Sequence, residues 1–325
     1  MIKIKNDSKR DFRLLNLTDP QLTNEEWGEN NQTGKIFRKT VDTLIERVAP
    51  DLITISGDLS YADHFASYKN FANYFDSFQI PWTCCFGNHD NQDGDEPVQK
   101  IIDEYMKHEF FVFEKCHSSL GNSNFVILIE KNGKNAEGII LMDTHDRVPH
   151  KTNSCGINQA WGKLTPEQLS WYEERISELK EIGCNDTTLI THIPINAYLL
   201  VAEVAFKNPV PDKSVKVSDS YGTDIWNVGY EDSYGVFHES ISAYPEDEGA
   251  FDLICKLNST KNIICGHDHV NNWVVKHNGV RFIFGTKTGS GCYGEPELNG
   301  GTVLTINETG VVSVRHEYVD VLEVL

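Results

Sequence analysis

Pro81-Trp82-Thr83-Cys84-Cys85-Phe86-Gly87-Asn88-His89-Asp90 is an apolar run of strand length that ends at a glycine and then delivers three polar side chains. Asn88 offers a neutral oxygen, His89 is a side-chain type that can carry a proton near neutral pH, and Asp90 can orient or ligate, so the tetrapeptide suits metal-assisted hydrolysis. The plainer reading is a tight turn with Asn in the left-handed conformation and His and Asp in solvent. The residues at the ends of the other strands decide between the two.

Runs of strand length recur at Phe12 to Leu17, Asp51 to Ile55, Phe125 to Ile129, Gly138 to Met142, Thr187 to Thr191 and Lys261 to Cys265. Helical periodicity fills the gaps. Lys35 to Val48 brings Ile36, Val41, Leu44, Ile45 and Val48 near one face, and Tyr68 to Phe78 does the same with Phe71, Phe75 and Phe78. Thr165-Pro166-Glu167-Gln168 combines an N-cap, a first-position proline and a capping box, and predicts a helix running to about Ile182, where Gly183 stops it. After Cys265 come short strands with turns between them: Trp273 to His277, Val280 to Thr286, Thr302 to Ile306 and Val311 to Tyr318. Alternation first and a meander last predict an α/β fold, two packed sheets with helices outside. No linker interrupts it, so one domain is expected over residues 1–325, with a long insertion at about 197–248, where a possible short helix gives way to a polar loop that either covers a site or is disordered. Tyr221, Trp226, Tyr230, Tyr234, Phe237 and Tyr244 lie in that stretch, and packing of the loop on itself explains them slightly better than base stacking.

Length and a 39% hydrophobic content allow a substantial core. Net charge is −19, which disfavours nucleic-acid polymers and anionic membranes as partners. No run approaches the length of a spanning helix, and Met1-Ile2-Lys3-Ile4-Lys5-Asn6-Asp7 lacks the apolar core of an export signal. The eight cysteines show no C-x-x-C pairing and read as reduced thiols, which makes the expected location cytoplasmic.

Leu17 is followed by Asp19-Pro20-Gln21, Ile55 by Gly57-Asp58-Leu59-Ser60-Tyr61, Phe86 by Gly87-Asn88-His89-Asp90, Thr191 by His192, and Cys265 by Gly266-His267-Asp268-His269. Ligands of open α/β sheets bind outside the carboxyl ends of strands, so these groups can converge. Singly, Asp19 or Asp58 could cap a helix, and His192 or the Gly-His-Asp-His segment could be a turn. Together they point to a binuclear metal centre.

In these blocks the chain resembles the calcineurin-like metallophosphoesterases, whose pattern is D-x-H, G-D, G-N-H-D/E, a lone His and G-H-x-H. Four blocks match closely and the first in part. Tyr61 in a G-D-x-x-Y arrangement, Gly-His-Asp-His-Val, and the Leu-Thr-Pro-Glu-Gln helix before the lone His are similar to the purple-acid-phosphatase-related branch. The resemblance runs from about Leu14 to Cys292. It implies a four-layer sandwich of two mixed sheets flanked by helices, two metal ions (Fe, Mn or Zn), and hydrolysis of a phosphate monoester or small phosphodiester through a hydroxide shared by the metals. One ion would take Asp19, Asp58 and His269, and the other Asp58, Asn88, His192 and His267. Gln21 stands where many members have a ligating histidine; the place falls to Tyr61, as the corresponding tyrosine does in purple acid phosphatases, to the amide oxygen of Gln21, or to water. Two cations about 3.5–4 Å apart would hold nucleophile and leaving group in line. His89, next to Asn88, is the catalytic candidate, a general acid worth about 10²–10⁴-fold. Asp90 is expected to fix the loop and Asp268 to face away from the metals.

Weaker candidates remain. His145 or Arg147 could reach a substrate phosphate, although loop packing or a surface ion pair accounts for them more simply. His238-Glu239 could close over the pocket, and Gly285 to Gly291 reads as a flexible rim. The expected partner is a small phosphorylated substrate, with no protein partner predicted. A cyclic-nucleotide phosphodiesterase shares every ligand, and a degenerate scaffold without turnover is the alternative of another class.

Overall fold

A computed structural model describes residues 1–60, 65–92, 98–150, 159–206 and 233–322. Two mixed sheets carry the fold. The larger orders its strands β1 (Ile2–Asn6), β5 (Phe125–Lys131), β6 (Lys134–Leu141), β9 (Thr187–Ile190), β10 (Thr260–Cys265), β12 (Val280–Phe284) and β11 (Val274–His277). The smaller orders them β14 (Gly310–Tyr318), β13 (Gly300–Asn307), β2 (Phe12–Leu17), β3 (Leu52–Ser56) and β4 (Trp82–Cys85). A separate two-stranded ribbon pairs β7 (Arg147–Pro149) with β8 (Gln159–Trp161).

Period-2 alternation explains how the larger sheet is buried on both faces. On β5, Ile127 and Ile129 join the core shared with the smaller sheet, while Val126 and Leu128 join a second core beneath the helices α5 (Pro166–Glu181), α6 (Ala197–Phe206) and α7 (Ala250–Leu257). Across the smaller sheet lie α1 (Gln32–Val48) and α2 (Phe65–Asp76), which bury Ile36, Phe37, Val41, Leu44 and Val48, and Phe71 and Phe75. The layers therefore run helix, sheet, sheet, helix, with the short α3 (Asn88–Gln92) and α4 (Val98–Tyr105) following β4.

The start of α5 follows its sequence signature. Thr165 Oγ1 accepts from Gln168 N at 3.2 Å, and Gln168 Oε1 accepts from Thr165 N at 2.8 Å. β1 has no counterpart in the sequence reading. It joins the edge of the larger sheet parallel to β5, with Ile2 and Ile4 packed against the core. Part of the 197–248 insertion lies outside the described residues, Tyr221, Trp226 and Tyr230 included. Within the described part, α6 opens the segment, and Tyr234 and Phe237 bridge to Val274 and Asn271 beside β11. The cysteines among the described residues are free thiols, and no helix there is long and apolar enough to cross a membrane.

β2, β3 and β4 run parallel in one sheet, and β9, β10 and β12 do so in the other. Their carboxyl ends open on a common edge, where the polar blocks of the sequence meet.

Candidate metal centre

Asp58, at the end of β3, is the centre of the cluster. One ligand atom each from Asp58, His192 and His267 lie within 4.8 Å of one another, and all three residues are buried. Asp58 Oδ1 stands 3.2 Å from His192 Nε2 and accepts from His89 N at 2.9 Å, while Oδ2 accepts from the Gln21 amide at 2.8 Å. Asn88 Oδ1 lies 3.0 Å from the same His192 nitrogen. On the far side, His269 Nε2 faces Asp19 Oδ1 at 3.4 Å, and the backbone N–H of His267 donates to Asp19 Oδ2 at 3.0 Å.

Backbone conformation brings these groups close. Asp19, Gln21, Asp58 and His267 all adopt positive φ, at 52°, 48°, 52° and 76°. L-residues pay for this region, and such strain concentrates where a site is held in place. Glycine works differently here: a Cβ on Gly87 would lie 2.1 Å from Asp58 Oδ1, so the glycine is the space that the carboxylate fills.

Second contacts fix the imidazoles. Nδ1 of His192 pairs with the Ser56 carbonyl at 2.8 Å and Nδ1 of His269 with the Tyr293 carbonyl at 2.9 Å, so each ring presents Nε2 to the pocket. Asp90 accepts from Gly87 N at 2.8 Å, Leu59 N at 3.0 Å and Tyr68 Oη at 2.9 Å, tying the β3 and β4 loops together. Asp268 turns away and accepts from Ser242 N and Asn271 Nδ2.

The electrostatics are those of buried opposite charges. Burial alone would raise the Asp58 carboxyl, but the charge and hydrogen bond of His192 hold it at about 2. Burial likewise opposes a charged His192, and the Asp58 carboxylate overrides it, lifting the imidazole to about 10. Asp19 is buried too, yet the hydrogen bond from His269 and the charge of His192 keep it below the usual carboxylate range. His267 is pushed down to about 3, first by burial and then by His192, so its ring is neutral. Asp90 is raised to about 7 by burial and the charge of Asp58.

The donor set suits a cation. Gln21 Oε1 and His267 Nε2 are buried without a hydrogen-bond partner, an arrangement that costs free energy unless something else accepts their lone pairs. Imidazole, carboxylate and amide oxygen match iron, zinc and manganese. Tyr61 lies outside the described residues.

The weaker candidates resolve into distinct roles. His145 packs in its loop, with Nε2 3.1 Å from Gln168 Oε1. His238 is buried, its Nδ1 3.0 Å from Glu295, and Glu239 accepts from Val270 N and Tyr293 Oη. Glu239 thus holds the residue that follows His269 and the tyrosine that stacks on it. The Gly285 to Gly291 rim is corrected: Lys287 is buried and donates to the Asp19 carbonyl at 2.7 Å, and Thr288 N donates to the Thr18 carbonyl, so this segment braces the Asp19 loop. Lys287 follows β12, the same strand-end position that identifies the other residues. Trp161 and Tyr293 also escape sequence reasoning. Trp161 meets His267 edge to face at 4.3 Å between ring centroids, and Tyr293 stacks on His269 at 4.1 Å. Neither belongs to a motif.

Two sheets whose parallel strand ends converge on buried acid and imidazole define a layered α/β protein with a candidate metal centre. The family model described as calcineurin-like phosphoesterase matches residues 12–271, and the chain belongs to that family. Among known proteins it is similar to two from Arabidopsis thaliana, named probable inactive purple acid phosphatase 29 and probable inactive purple acid phosphatase 28. Each is 23% identical, over 78% of this chain and 63% and 62% of the relative. The chain thus spans about three-fifths of the length of the curated relatives it matches. A crystal structure of a dimetal phosphatase from Danio rerio shares the fold, with a TM-score of 0.55 and 11% identity over 95% of this chain and 99% of that one.

Proposed function

We propose that this chain is a metal-dependent phosphoesterase that holds two metal ions through Asp19, Asp58, Asn88, His192, His267 and His269 and hydrolyses phosphate monoesters or small phosphodiesters. The observation that carries the reading is the pocket itself, where five strand ends meet and two buried lone-pair atoms, on Gln21 and His267, have no hydrogen-bond partner. Family membership supports the same chemistry. When bound, a pair of such cations supplies Lewis acidity to phosphoryl oxygens and a nucleophilic water at neutral pH.

The chain supplies the rest. Asp58 would be the carboxylate that both ions use, and it is held by the amide of Gln21 and the backbone N–H of His89. His89 extends past Asn88 with its side chain 23% exposed and its Nε2 4.0 Å from Asp58 Oδ2, able to give a proton to the departing oxygen. Gln21, already bonded to Asp58, competes with Tyr61 for the remaining ligand position. A visible absorption band in the oxidised, iron-loaded protein that vanishes in Tyr61→Phe would favour the tyrosine; a colourless wild type with full iron occupancy counts against it and leaves Gln21 or water.

The degenerate scaffold is the second reading. It is favoured by Gln21 in a histidine's place and by the names of the two plant relatives, both called probable inactive phosphatases. Elemental analysis of the purified protein, with p-nitrophenyl phosphate, bis-p-nitrophenyl phosphate and cyclic AMP assayed in manganese, separates the possibilities. Two metals per chain and monoester turnover are expected. Turnover of cyclic AMP alone would move the assignment to a cyclic-nucleotide phosphodiesterase, and metals without turnover of any substrate would leave the scaffold.

A further inference from the structure

Arg147 and Trp161 face each other across the β7–β8 ribbon, and the guanidinium lies 3.8 Å above the indole centroid. The indole in turn contacts His267. One ribbon therefore carries an arginine to the rim of the candidate metal centre and fixes it there through an aromatic ring. Among the described residues no carboxylate lies within 4.0 Å of this guanidinium, although the chain holds 48 acidic residues against 29 basic ones. The ribbon is built for close approach: a Cβ on Gly162, next to Trp161, would lie 1.9 Å from the Thr144 carbonyl.

Resting on the phosphoesterase reading above, we propose that Arg147 is a substrate-binding residue that selects phosphate esters bearing a second anionic group. A guanidinium offers a planar fork of donors matched to carboxylate or phosphate oxygens. Stacking on Trp161 removes much of the rotamer freedom that a surface arginine would otherwise lose on binding. The guanidinium lies one aromatic contact removed from His267, on the exposed side of the ribbon, so in this proposal it meets the part of the substrate beyond the phosphoryl group that the metal-binding residues address. Trp161 is the positioning residue. A surface ion pair, the simpler expectation from sequence, has no carboxylate partner among the described residues.

The test is equilibrium binding to the manganese-loaded protein by calorimetry, with two non-hydrolysable probes. Phosphonoacetate carries a phosphonate and a carboxylate, whereas methylphosphonate carries the phosphonate alone. Wild type is expected to prefer phosphonoacetate about tenfold. Arg147→Gln should abolish that preference while leaving methylphosphonate affinity within about twofold; Arg147→Lys, which keeps the charge without the fork, should retain part of it. Trp161→Phe keeps a ring and most of the preference, and Trp161→Leu loses it. Equal affinities in wild type, a preference that survives Arg147→Gln, or an equal loss for both probes overturns the proposal. Failure of wild type to bind either phosphonate overturns the phosphoesterase reading as well.

Discussion

Asp58 has no room to move. Its Oδ1 occupies the volume that a side chain at position 87 would need, and backbone and amide donors hold both its oxygens. Gly87→Ala should displace the carboxylate and cost about 1–3 kcal/mol of stability. Loss of bound metal in elemental analysis and a lower Tm would both report it. His89 is the opposite case, since its side chain reaches outward. His89→Ala should retain the metals yet lose about 10²–10⁴-fold in kcat on substrates with poor leaving groups, as steady-state assays can measure. An unchanged rate would remove it from the acid role. At this scale, sequence exposes the residues that stand in blocks after strands. Lys287 also follows a strand, but its glycine neighbours read as a rim, whereas Trp161 and Tyr293 stay hidden because one gains its place through a ring more than a hundred positions away and the other through a backbone carbonyl that no side-chain pattern reports.

Among the elements, α5 carries the strongest local signal, and its first turn is also a structural joint. Gln168 closes the capping box and at the same time donates to the Asp143 carbonyl at 2.6 Å and to Asn124 Oδ1 at 3.0 Å. Thr165→Ala should cost about 1 kcal/mol, whereas Gln168→Ala should cost more because it leaves buried acceptors unpaired; denaturant unfolding of both variants checks the order. Periodicity makes most strands and the long helices legible because each buries one face or both against a core. It cannot reveal β7 and β8, which are three residues each, or β1, whose alternating Ile-Lys-Ile-Lys reads equally well as a solvated terminus. The Ala197 to Phe206 segment is nearly apolar all round, so it offers no stripe by which to read its helix fully.

For the molecule as a whole, the buried acid on β6 sets a pH dependence. Glu137 on β6 is buried, and that burial lifts its carboxyl from 4.5 to about 8, although Thr188 donates to it at 2.7 Å. The folded protein thus keeps a proton that the unfolded chain releases, so stability falls as pH rises from about 4.5 toward 8. Glu137→Gln should flatten this slope and gain on the order of 1–3 kcal/mol at pH 8 relative to wild type, with little difference at pH 4.5. Thermal scans across that range would show the gap opening. The hydrogen bond from His192 to the Ser56 carbonyl has a further consequence, because it ties a residue of one sheet to the backbone of the other across 136 positions. Neither half of the chain holds the complete donor set, because Asp19, Asp58 and Asn88 come from one sheet and His192, His267 and His269 from the other, and contacts so distant in sequence are slow to form. Cation uptake should consequently return after far-ultraviolet circular dichroism during refolding, so that metal affinity registers the docking of the two halves and not the growth of either.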